Sequence, residues 1–151
     1  MDVYKEFNYQ LKFFMRELMR LFPSMTELKF MFVLYKCMKT INRKKPQQYF
    51  HSLMSDNSKQ LLSKDIDYFL NTDCIDENLM KIIPSLKKGY MLLDDENKEM
   101  IWKNLVFLYH LSLKCQEKID IKDNSIHNLK DGLQIENPRD SRKVTTEVTG
   151  G

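Results

Sequence analysis

Three histidines and three cysteines are the side chains of this 151-residue sequence best suited to nucleophilic or metal chemistry. A hydrolytic triad needs a serine or cysteine beside a histidine that a carboxylate orients. His51, His110 and His127 are far apart, and no serine carries the flanking glycines of a nucleophile elbow. His110 and Cys115 share one expected helix, but the step between them turns about 500° around the axis, so they point to different faces. Packed or surface roles are the simpler reading of all six residues.

Metal and phosphate chemistry lack their patterns too. Cys37, Cys74 and Cys115 show neither C-x-x-C nor zinc-finger spacing, and no H-E-x-x-H is present. Their odd number and wide separation fit reduced thiols in a cytosol-like compartment. The acidic runs Asp73-Cys74-Ile75-Asp76-Glu77 and Asp94-Asp95-Glu96 each precede an apolar helical stretch, where carboxylates serve as caps. Gly89, Gly132, Gly150 and Gly151 are the only glycines, so neither G-x-x-x-x-G-K-[ST] nor G-x-G-x-x-G can occur. No catalytic, cofactor-binding or metal-binding residue is assigned, and a non-enzyme without a cofactor is expected.

Binding chemistry has two candidates. From Met1 to Phe50 there are ten Lys/Arg against four Asp/Glu, and from His51 to Met100 six against ten. Lys36, Lys39, Arg43, Lys44 and Lys45, with Tyr49 nearby as a stacking aromatic, make a candidate nucleic-acid patch. The acidic middle third opposes a continuous positive face. Methionine adapts to irregular partners, and Met15, Met19, Met25, Met31 and Met38 all fall in the first two expected helices. Met15, Met19, Met31, Phe32 and Met38 form the candidate protein interface.

These residues must be positioned by helices. Val3, Phe7, Leu11, Phe14, Leu18 and Leu21 recur at spacings of four and three, one stripe of a helix that Pro23 stops. Ser24 and Glu27 form a capping-box pattern that restarts a helix at once. Leu28, Phe32, Tyr35 and Met38 mark the second helix, while Phe30, Met31, Val33 and Leu34 widen its apolar surface beyond one stripe, as a central or partner-binding helix would require. Pro46 opens a short helix with Tyr49, Phe50, Leu53 and Met54 on one face. From Ser55 to Leu93 shorter pieces are expected: one capped by Ser63 or Asp65, another capped by Asp76 and ended by Pro84, and a loop at Gly89. Asp94, Asp95 and Glu96 start a long last helix with Ile101, Leu105, Leu108 and Ser112 on one face, running to about Ile119. No charged start, apolar run and small-residue cleavage site opens the sequence, and no stretch nears the roughly 18 apolar residues of a span, so neither secretion nor membrane spanning is expected.

The order of parts resembles small all-helical proteins of giant viruses of the nucleocytoplasmic large DNA virus kind. The resembling features lie between Tyr4 and Lys118: an amphipathic opening helix ending in Leu21-Phe22-Pro23, Tyr49-Phe50, Asp65 before Phe69-Leu70, and an acidic turn leading into Lys98-Glu99-Met100-Ile101-Trp102-Lys103-Asn104-Leu105. The resemblance implies an all-helical protein of the host cytoplasm or the virion, with no catalytic residues to carry over.

The expected molecule is all-α, a single compact bundle of five to seven helices over residues 1–119 with a disordered, flexible polar tail over 120–151. Its expected role is a non-enzymatic protein-binding or virion-associated module whose partner is a viral protein or a second copy. Nucleic-acid binding by the basic N-terminal third is the alternative. No small-molecule substrate is evident.

Overall fold

The carboxylate of Asp2 accepts a hydrogen bond from the Tyr4 N–H at 2.9 Å, capping the first helix, α1 (Val3–Leu21). The computed structural model to which this helix belongs describes residues 2–70 and 83–135. After α1 come α2 (Thr26–Ile41), α3 (Lys45–Met54), a 3-10 turn (Ser55–Asn57), α4 (Ser58–Leu62), α5 (Ile66–Phe69), α6 (Ile83–Met91) and α7 (Asp95–Ile135). The described residues contain no strand, and the fold is an all-α bundle. The chain divides after Cys115 into two compact units, and the packing below belongs to the first.

The stripe read from α1 is its core face. Phe7 and Phe14 are buried, together with Tyr4 and Asn8 on the adjoining edge. Phe7 meets the ring of Phe50 in α3 edge-on, with centroids 5.5 Å apart, a geometry that suits the ring quadrupoles. Gln10 of α1 donates to Asn104 of α7 at 2.7 Å, which brings the first and last helices of this unit together.

The turn between α1 and α2 departs from the expected capping box. Met25, buried, holds the N-cap position without a side-chain hydrogen bond. Its N–H instead donates to the Phe22 carbonyl at 3.1 Å, closing a turn through Pro23 and Ser24. That turn leaves Ser24 exposed, and burial of Phe22 and Met25 fixes the bend.

Two further expectations are corrected in α6. Pro84 lies in the first turn of this helix instead of ending one, a position where its missing N–H has no intrahelical acceptor to lose. Gly89 lies within the helix, not in a loop. A Cβ at residue 89 would come within 2.7 Å of the Phe22 ring, so the helix takes a poor helix former because the ring occupies the space. The helix expected over Leu79–Ile83, with its Asp76 cap, falls mostly outside the described residues.

Of the two candidates Ser63 and Asp65, it is Asp65 that caps α5, through a 3.1 Å bond from the Tyr68 N–H, and of the acidic run at residues 94–96 it is Asp94 that caps α7, through a 2.9 Å bond from the Asn97 N–H. Ile101, Trp102, Leu108, Tyr109, Leu111 and Ser112 are the buried face of α7. Beyond the end expected near Ile119 the helix continues through Ile135, since neither glycine nor proline interrupts it before Gly132. Residues 136–151 of the expected tail lie outside the described residues.

Candidate protein interface on the second helix

Leu28 and Tyr35, seven residues apart, define the buried side of α2. Residues half a turn away must then face outward. Phe30, Leu34, Cys37 and Ile41 follow one another at four, three and four residues, and with Val33 beside them they make one continuous stripe. All five are exposed, Phe30 at 64% and Ile41 at 82%. A helix with its apolar side buried normally turns polar residues to solvent; α2 is apolar on both sides.

The residues singled out for the interface are placed differently. Met15, Met19, Met31, Phe32 and Met38 are all half-buried. Met31 lines an apolar cavity of about 220 Å³ together with Phe14, Phe69, Trp102 and Leu105. Phe32 stacks on Tyr35 with centroids 6.0 Å apart, and Arg16 and Lys36 sit over its ring at 5.9 and 4.9 Å. The surplus apolar surface on α2 was visible in the sequence, but its outward share lies on the neighbouring stripe.

The candidate nucleic-acid residues separate into two groups. Arg43 pairs with the Asp2 carboxylate, and Arg43 and Lys44 lie over the Tyr4 ring at 5.7 and 5.3 Å. Against a partial desolvation penalty, the Tyr4 N–H and the Arg43 guanidinium hold the Asp2 carboxyl below its ordinary value. Lys45 is exposed at the start of α3. Lys36 and Lys39 instead line a cleft of about 300 Å³ between α1 and α2 with Lys12, Tyr35 and Thr40. The Tyr35 hydroxyl donates to the Asn8 carbonyl at 3.0 Å, and burial raises its pKa. Among the described residues the ion pairs are Arg20–Glu17, Arg43–Asp2 and Lys64–Glu99, so none of the three cleft lysines has a carboxylate.

A buried polar cluster between α3 and α7 escaped the sequence reading. Gln47 Nε2 donates to the carbonyl and Oγ of Ser112, each at 3.1 Å, and His51 Nδ1 lies 3.2 Å from the same Oγ. A serine within hydrogen-bond reach of a histidine is half of a nucleophilic site. Ser112 is fully buried in mid-helix, however, and no carboxylate is hydrogen-bonded to His51 among the described residues. Nearby Tyr4 has its phenol pKa raised, mainly by burial and then by Cys115. Gln47 and Ser112 stand 65 positions apart, and no local pattern announces such a pair.

Among the described residues no group of three or more His, Cys, Asp or Glu is placed to hold a metal ion, and no helix is long and apolar enough to cross a membrane. The apolar cavity lacks the convergent polar groups that orient a substrate. No family model, curated protein or solved structure matches the chain.

Proposed function

We propose that this chain is a non-enzymatic helical module that binds a protein through the outward face of α2. The observation that carries the reading is the exposed stripe of Phe30, Val33, Leu34, Cys37 and Ile41 on a helix whose opposite side already fills the core. Contiguous exposed apolar surface of this kind marks interaction sites, and apolar anchors at helical spacing are how grooves and helices recognise one another. The resemblance to helical proteins of large DNA viruses suggests the infected cell or the virion as the setting.

Affinity capture with mass spectrometry from the native host tests the proposal. A partner retained by the wild-type chain and lost on Leu34→Asp, with helical circular dichroism unchanged, is the expected result. The same proteins recovered with both chains would sink it. Nucleic-acid binding has less support, because Arg43 and Lys44 are engaged by Asp2 and Tyr4, leaving Lys36 and Lys39 in a separate cleft.

A further inference from the structure

We infer that the partner segment seated on α2 is an acidic amphipathic helix; the inference rests on the docking role proposed for this face. Lys29 and Lys36 stand four residues before and three residues after Val33, so they border the apolar stripe along one long side. Both are exposed. Beyond Lys36 lies the cleft with Lys12 and Lys39, and none of these four lysines is in an ion pair among the described residues. The one carboxylate of α2, Glu27, is half-buried. The surface thus presents apolar anchor sites with an uncompensated positive border on one side.

A helix laid along that surface gains most if its own apolar residues recur at three and four and carboxylates line the edge facing Lys29 and Lys36. A second copy fits poorly. Two α2 helices placed stripe to stripe would bring their lysine borders together if antiparallel and, if parallel, would set each border against an edge with no exposed α2 carboxylate to meet it. A basic helix meets the same repulsion.

Selection from a random display library of about 16-residue peptides, four to five helical turns, against the full chain tests this without assuming a partner. Enriched peptides are expected to share apolar positions at i, i+3 or i+4 and i+7 with Asp or Glu on one flank. Their affinity should fall on the order of tenfold in Lys29→Glu/Lys36→Glu and with added salt, and should vanish in Leu34→Asp. Neutral or basic peptides that still require Leu34 would overturn the acidic assignment while leaving the docking face standing. Enrichment indifferent to Leu34 would remove both. Concentration-dependent dimerisation abolished by Leu34→Asp would assign the face to a second copy instead. A single-stranded oligonucleotide that displaces the peptides and binds through the same lysines would give the border to nucleic acid, also overturning the inference.

Discussion

The ring of Phe22 occupies the space that a side chain at Gly89 would need, with 2.7 Å separating its Cε1 from the position of a Cβ there. Phe22 ends α1 and is buried, so the ring has little room to yield. Gly89→Ala gains roughly 1 kcal/mol of helix propensity but overpacks this contact, at a cost of about 1–3 kcal/mol. Net destabilisation in urea denaturation is the expected outcome, largely recovered in Gly89→Ala/Phe22→Leu. A stabilised single mutant would show that the ring moves freely.

The Trp102 Nε1–H donates to the Tyr90 hydroxyl at 2.9 Å, joining α6 to α7 in the buried interior. Tyr90→Phe keeps the ring and leaves the indole N–H without an acceptor. The expected loss is about 1–3 kcal/mol of stability, accompanied by a shift in the emission of the only tryptophan. Unchanged stability would mean that water or another acceptor serves the indole.

Within the Gln47–Ser112–His51 cluster the two polar partners should respond unequally. Gln47 Oε1 is already buried without a hydrogen-bond partner, so Gln47→Met removes an unsatisfied atom along with two bonds. It should fall within about 1 kcal/mol of wild type. Ser112→Ala keeps the backbone carbonyl that Gln47 Nε2 donates to, but it removes the one Oγ that serves both Gln47 Nε2 and His51 Nδ1, and should cost about 1–3 kcal/mol. Thermal or chemical denaturation ranks the two, and the reverse order would contradict this reading.

The Asp2 carboxyl has its pKa lowered in the folded chain. A depressed carboxylate contributes stability above its unfolded value, and that contribution is lost as pH falls through the folded one. Asp2→Asn can still cap α1 but cannot pair with Arg43. Wild type should therefore be the more stable near neutrality, with the difference beginning to shrink at about pH 4 and disappearing only once the pH is below the lowered folded value. A gap that persists in acid would trace to the cap and not to the charge.

Much of the fold could be read from spacing because its causes are local. Val3 to Leu21 carried a helix in its threes and fours, and Asp65 and Asp94 announced their helices by position. Gly89 could not be read this way, since the reason for it is a ring that arrives from residue 22. Pro84 looked like a terminator because proline at the first turn and proline after the last look alike without the chain on either side. On α2 the apolar excess was plain, but which part faces out depends on where α1 and α3 press. Ser112 became visible only through partners more than sixty residues away.

The core described here is finished by its last helix. Asn104 meets α1 across 94 positions, and Ser112 meets α3 across 65. During synthesis the first three helices leave the ribosome well before α7, so they must wait with Phe7, Phe14 and Phe50 incompletely covered. A nascent chain released before Trp102 would have the pieces of a fold and no interior to put them in.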